Sequence, residues 1–524
     1  MAHMTALIQA LLDPRCYPHP VQNVRLIETH ISWLLLTGTY AYKIKKPVDL
    51  GFADFSTLDR RLHCCNEEVR LNRRFAPEIY LGIVPIVGTP NEPTVDAHGT
   101  VIEYAVKMRE FDQHDLFLTR LRDNRVDPGH IDALADACVA FHASAGTTAA
   151  TSPFGDPEAV LGDALANFDA ILASIEDQPL RTRIDALRRW TLETHRRQRP
   201  HFVRRQAAQR IRECHGDLHL RNIVLSQDRI TLFDCIEFNE NLRRIDVMNE
   251  LAFTAMDLTA QGRFDYSCRL INRYLETGGD YDGLGVLPFY LVYRAMVRAK
   301  IDLIHASQGD VGEHTRARER MDFADRIALA ERYVQAVRPF VAITCGVSGS
   351  GKTYLSQRAL ERTGAIRLRS DIERKRLSGL EPGIRSASEL NTGLYSTQAS
   401  DLTFGHLADL VRVVIAAGFP VIVDATFIHR SRRETFAEIA AALAVPFAIV
   451  HCEAPSDVVE ARIARRHAAG TDASEADARV LRHQLQSAEP FTCDEQAAAI
   501  RVDTQNDASI NAALDRLTSL SRHV

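Results

Sequence analysis

The chain has no Cys-x-x-Cys pair, and its ten cysteines include an adjacent couple, Cys64 and Cys65, that cannot readily bridge one another. Several others (Cys138, Cys345, Cys452) lie in apolar runs, where a reduced thiol behaves as a small core residue. No N-terminal stretch has the charged, apolar and small-residue order of a signal peptide. Both features favour a cytoplasmic protein over an exported, disulfide-stapled one. Long apolar runs are also missing. The best of them, Val411 to Ala425, is broken by Arg412, Gly418 and Pro420, and is too short to span a bilayer. A net charge of −5 gives no global argument for nucleic-acid or membrane partners. Repeats, low-complexity tracts and Gly/Ser linkers are absent.

What is present is an ordinary globular composition, 46% hydrophobic and 25% charged, in 524 residues. That length calls for more than one core. The opening Met1-Ala2-His3-Met4 reads as a cloning remnant, and residues 1–23 as an extension. From Val24 to Val87 the pattern is strand-rich, with a hairpin signal at Thr37-Gly38 and one charged amphipathic helix over Leu58 to Phe75. Beyond Gln113 it turns helical, with a long helix from Leu180 to Arg212 expected to break at Pro200. A boundary falls near Arg338-Pro339, so the expected domains are 24–335 and 339–524. The second alternates strand and helix, with strands at Phe340–Cys345, Ala365–Arg369, Pro420–Asp424, Pro446–Cys452 and Ala498–Val502. That alternation implies a parallel sheet covered on both faces.

Between the first of those strands and a helical pattern stands Gly346-Val347-Ser348-Gly349-Ser350-Gly351-Lys352-Thr353. A glycine-rich turn there aims successive backbone N–H groups and a positive helix end at a polyphosphate. Lys352 is placed to reach the outer phosphates, and the Thr353 hydroxyl to ligate Mg²⁺. At ~7% glycine usage, a chance match in a chain this long is on the order of one in a hundred. The second strand ends in Arg369-Ser370-Asp371, with Arg374 a helical turn later. Strand ends of open α/β sheets face the ligand, so Asp371 suits a base for an acceptor hydroxyl and Arg374 an anchor for phosphate. Asp424 closes the third strand and suits a Mg²⁺-water partner. Arg462, Arg465 and Arg466 precede Ala468-Ala469-Gly470-Thr471-Asp472, a lid candidate whose arginines would neutralise transferred phosphate. Helix capping by Asp371 and a solvated arginine face are the plainer readings. The segment resembles the small P-loop kinases related to polynucleotide kinase, zeta toxin and chloramphenicol phosphotransferase. The resemblance implies that Asp371 activates the acceptor, Arg374 assists it, and Arg462 and Arg466 belong to the nucleotide site.

Far upstream, His215-Gly216-Asp217-Leu218-His219-Leu220-Arg221-Asn222 has the spacing of a kinase catalytic loop, with Asp217 as base and Asn222 as metal ligand. An apolar strand then delivers Asp234 as a second metal ligand. Lys43 lies on an upstream strand, where Glu68, or less readily Glu67, would hold it against inner phosphates. His215 and His219 as a metal pair lack a third ligand at suitable spacing. Residues 24 to 330 resemble the aminoglycoside phosphotransferase and choline kinase family, whose fold is a bilobal, protein-kinase-like α+β domain. The resemblance places Asp217, Asn222 and Asp234 at catalytic and metal positions and makes Asp246 a structural aspartate. It departs at Glu28-Thr29-His30-Ile31-Ser32, where a glycine-rich phosphate loop is expected. No acidic cluster for a polycationic drug is evident either, so an antibiotic-resistance role is not inherited.

These readings make the chain a bifunctional ATP- (or GTP-) and Mg²⁺-dependent kinase with small-molecule or nucleotide acceptors. An alternative is one active P-loop kinase gated by a nucleotide-binding, non-catalytic kinase-like domain. A third is 5′-hydroxyl phosphorylation of nucleic acid, prompted by the arginine-dense stretch Leu180 to Arg212; a solvated helix face explains those arginines better.

Overall fold

The computed structural model describes residues 2–49, 51, 53–307, 312–335, 337–381, 396–469 and 477–521. By compactness they form two units, one of residues 1–133, 140–160 and 203–254, the other of 134–139, 161–202 and 255–524. Among the described residues no helix is long and apolar enough to cross a membrane.

The first unit is built on a six-stranded antiparallel sheet in the order β1-β2-β3-β6-β4-β5. Its strands are β1 (Arg25–Glu28), β2 (Ser32–Leu36), β3 (Tyr40–Lys45), β4 (Tyr80–Thr89), β5 (Glu92–Val95) and β6 (Val101–Arg109). The Thr37-Gly38 turn joins β2 to β3 as the sequence predicts, with Gly38 at φ +88°. β3 is buried along nearly its whole length, because one face meets the N-terminal helix Ala2–Ala10 and the segment after it, through Leu7, Leu11 and Tyr17. The other meets the helix Leu58–Asn72 through Cys65 and Val69. That helix, capped at its start by Thr57, ends three residues before Phe75. Short strands β7 (Ile211–Glu213) and β10 (Arg244–Asp246) pair, and β8 (Ile223–Ser226) and β9 (Arg229–Leu232) form a hairpin.

The second unit joins helices of the 161–335 region to a five-stranded parallel sheet. Its strands β11 (Val341–Cys345), β12 (Ile366–Arg369), β13 (Val421–Asp424), β14 (Phe447–Glu453) and β15 (Ala499–Asp503) are ordered β12-β13-β11-β14-β15. β11 and β13 are buried at every residue, so both sheet faces are covered, as alternating β and α demand. One face packs Ala342, Ile422 and Val450 against Leu355, Ala359, Ile510 and Leu514.

One expectation fails. The helix Gln178–Ala207 runs through Pro200 without interruption, and its chain end is the separate strand β7. Proline's fixed φ is helical, so its cost is mainly one lost hydrogen bond and local crowding. Aromatic packing of Phe202 on Phe289 and Tyr290 holds the segment in line.

Two candidate phosphotransfer sites

In the first unit, β3 carries Lys43 and Lys45 two residues apart, and the helix Leu58–Asn72 presents Glu68 to both. Lys43 donates to Glu68 Oε1 at 2.8 Å and also pairs with Asp234. Lys45 pairs with Glu68 Oε2 and with Glu237. Glu68 is fully buried, so its charge is tolerable only because two ammonium groups share it. Glu67 points elsewhere, to Arg70 and Arg243. The Lys43–Glu68 pairing anticipated from sequence is therefore present, while Lys45 and Glu237 give no comparable motif signal.

Asp234 follows β9 by two residues and adopts φ +65°, a left-handed conformation that Asp tolerates better than most residues. Its N–H donates to the Tyr80 hydroxyl at 3.0 Å. Burial raises its carboxyl pKa, but Lys43 more than offsets this and holds it below the ordinary value. Asp217 lies near enough to oppose that lowering by like charge. Asn222 donates to the Asp217 backbone oxygen at 2.9 Å and to its Oδ2 at 3.3 Å. Asp217, Asn222, Asp234, Lys43 and Glu68 are thus linked through direct contacts and that electrostatic coupling.

The loop that carries Asp217 is set by a residue outside the motif. Glu250 accepts the His215 N–H at 3.0 Å through Oε1 and the Gly216 N–H at 2.7 Å through Oε2. Gly216 sits at φ +87°, and a Cβ there would lie 2.6 Å from Leu242 O, so glycine is required. The His215 ring bonds the Phe233 carbonyl at 2.7 Å, whereas His219 lies 3.4 Å from Asp217; the two histidines do not act as a metal pair. Asp246 takes a bidentate bond from buried Arg205 at 2.7 and 2.8 Å, the structural role expected of it.

In the second unit the loop 346–351 turns from β11 into the helix Lys352–Thr363. Gly346, Gly349 and Gly351 lie at φ +139°, +85° and +96°, and a Cβ on Gly351 would meet Thr504 at 2.8 Å. Side chains are thereby kept out of a backbone cradle suited to polyphosphate. Ser348, Gly349, Gly351, Lys352, Thr353, Asp371, Arg374, Asp424, Arg462 and Arg466 all line one cavity of about 1130 Å³. Gly346 and Ser350 shape the turn behind it.

Lys352 Nζ donates to Val347 O at 2.8 Å. Burial pulls its pKa below the ordinary lysine value, partly offset by Asp424 and Asp371. Asp424 accepts the Ser356 hydroxyl at 3.1 Å, and Arg374 bonds Asp371 Oδ1 at 3.1 Å. Arg462 turns toward the loop after β15, donating to Thr504 Oγ1 at 2.9 Å and to Gly349 O at 3.4 Å. The Ser348 N–H donates to Gln484 Oε1 at 2.7 Å, a contact no motif announced. Residues 470–472 of the expected lid lie outside the described residues.

A kinase-like loop and a P-loop on a parallel sheet define a chain with two phosphotransfer-type domains. Residues 97–289 match the model of the phosphotransferase enzyme family, and residues 341–491 match that of an AAA domain. The chain therefore carries a kinase-like phosphotransferase domain followed by a P-loop kinase-like domain. It is 28% identical over 479 residues to the uncharacterized protein Rv2004c of Mycobacterium tuberculosis, covering 88% of this chain and 91% of that one. Among solved structures it resembles a Plasmodium vivax ethanolamine kinase (11% identity, 60% of this chain and 84% of that one, TM-score 0.38). It also resembles a sugar kinase from Janibacter sp. HTCC2649 (21% identity, 35% and 99%, TM-score 0.27).

Proposed function

We propose that the chain is a tandem kinase, transferring the γ-phosphate of ATP to hydroxyl acceptors at two separate centres, one in each of the modules 24–335 and 339–524. The cavity that Lys352, Asp371 and Asp424 line together carries the P-loop half of this reading, and the contacts of Lys43 with Glu68 and Asp234 and of Asn222 with Asp217 carry the kinase-like half. In the P-loop centre, the backbone amides of the 346–353 loop hold the phosphates and Lys352 neutralises the outer ones. Asp371 accepts the proton of the attacking hydroxyl as its oxygen bonds to the γ-phosphorus. The bond to the β-phosphate oxygen breaks, and ADP leaves with that electron pair. Arg374 orients Asp371 and the transferring group. Thr353 and Asp424, oxygen donors that line the same cavity, would hold Mg²⁺, directly or through water, and the ion would supply neutralising charge for the phosphates.

In the kinase-like centre, Asp217 takes the proton, Lys43 steadies the phosphates, and Asn222 and Asp234 would hold the metal. Oxygen donors and a paired lysine suit that group.

The test is phosphoryl transfer from γ-labelled ATP to a bacterial metabolite extract, with Asp217→Ala and Lys352→Ala in the full chain. Two labelled products, each lost in one variant, are expected. Loss of all transfer in Lys352→Ala, with no effect of Asp217→Ala, would favour a binding or regulatory role for the kinase-like module.

A further inference from the structure

The cavity of the P-loop centre has two sides set by the strand order. Strand order places the ends of β12 and β13 on one side of the P-loop and those of β14 and β15 on the other. Asp371 and Asp424 belong to the first side, so the acceptor hydroxyl must approach there and the nucleoside must lie toward Thr504 and Ile510. The acceptor wall is formed by the start of the helix Ser370–Leu377, the helix Thr397–Ala416 and the start of the helix Arg430–Ala442.

Three guanidinium groups, Arg369, Arg374 and Arg432, line that wall with His429. Arg374 touches Asp371, and Arg369 lies 4.0 Å from Asp424. Arg432 serves neither of those carboxylates. Its guanidinium stacks 4.0 Å over the buried ring of Phe404, with one nitrogen 3.3 Å from the exposed Asp401. Burial depresses its pKa, Asp401 partly offsets this, and the nearby positive charge of Arg374 adds to the lowering. An aromatic face fixes an arginine's plane while leaving edge N–H donors available to a planar or tetrahedral oxyanion. Of the three, Arg432 is paired with an exposed carboxylate on its own rim, Asp401, so an anion entering the wall competes there with a solvent-screened contact.

Resting on the kinase reading of this site, we propose that its acceptor is a hydroxyl compound bearing an oxyanion of its own, a carboxylate or a phosphate, held by Arg432 and Arg374 beside Phe404. Neutral polyols and sugars are then poor ligands, however well their hydroxyls reach Asp371. Arg432 acts as a specificity residue and takes no part in proton or phosphoryl transfer.

The test uses the full chain saturated with Mg²⁺ and AMP-PNP, titrated with glycerol, D-glycerate and sn-glycerol 3-phosphate in a calorimeter. The two anions are expected to bind at least tenfold more tightly than glycerol, and the stronger of them identifies the preferred oxyanion. Arg432→Ala should erase that preference, and Arg432→Lys, which keeps the charge but loses the stacked planar donors, should retain only part of it. AMP-PNP affinity should be the same in all three proteins, which also shows that they are folded. Equal binding of glycerol and the anions, or an anion affinity untouched by Arg432→Ala, overturns the proposal. Failure of the kinase reading is seen separately, as the absence of any AMP-PNP binding that Lys352→Ala removes.

Discussion

The Asn272 side chain pairs with the backbone of Arg367 as a neighbouring strand would, accepting its N–H through Oδ1 at 2.7 Å. Its Nδ2 completes the pair by donating to Ala365 O at 3.1 Å. β12 is an edge strand of the parallel sheet, and its unpaired peptide groups would otherwise be exposed or buried unsatisfied. Around it, Arg367 Nε bonds Glu276 Oε1 at 2.7 Å, and the Tyr281 hydroxyl donates to Glu373 Oε1 at 3.0 Å. The strand that leads into the helix bearing Asp371 is thus fastened to a helix more than ninety residues upstream.

Asn272→Ala leaves two buried backbone groups of β12 without partners and should lower the unfolding free energy by about 2 kcal/mol. Chemical denaturation of the full chain measures this. A loss indistinguishable from zero would mean that water replaces the side chain without penalty.

Glu250→Gln exchanges one of two acceptor oxygens behind the Asp217 loop for a donor that faces N–H groups. Asp217-dependent transfer should fall by about tenfold, equivalent to ~1.4 kcal/mol of lost positioning. Lys352-dependent transfer should be unchanged. Steady-state rates with the two labelled products provide the comparison.

Glu68→Ala removes the carboxylate shared by Lys43 and Lys45 and leaves buried positive charge uncompensated. The expected cost is about 3–5 kcal/mol, read as a lowered denaturation midpoint. Isosteric Glu68→Gln, which keeps the volume, should recover little of it.

Glu213 supplies the pH dependence. Its carboxyl is raised by burial but more strongly lowered by Arg70, Arg74 and Arg243, to about 2 from an ordinary 4.5. Its pKa is lower folded than unfolded, so its contribution is complete above pH 4.5 and fades as pH falls toward 2. Allowing for its partly open site, that contribution is about 2 kcal/mol. Glu213→Gln should therefore lose stability at pH 7 and show a flatter stability profile between pH 2 and 4.5 than the parent.

The central strands β11, β13 and β14 were legible to within a residue because a buried parallel strand writes itself as a nearly continuous apolar run, whereas β12 and β15, interrupted by arginine, were legible from the alternation of strand and helix. The P-loop and the Asp217 loop were legible because phosphate chemistry needs fixed residue types at fixed spacing. Lys45, Glu237, Glu250 and Asn272 were not, since each acts through a partner between about 20 and 190 residues away with no local pattern to mark it. Arg432 lay hidden in an arginine-rich helix start, where only the ring of Phe404 and the neighbouring cavity distinguish it from a solvated charge. The helix through Pro200 shows the converse, a strong local breaker overruled by aromatic packing.

Transfer of a γ-phosphate label distinguishes two independent kinase centres in this chain from a single one. With ATP, Mg²⁺ and a metabolite extract, Asp217→Ala should erase one labelled product and Lys352→Ala another, each leaving the other intact. A single product that disappears in both variants would contradict the account.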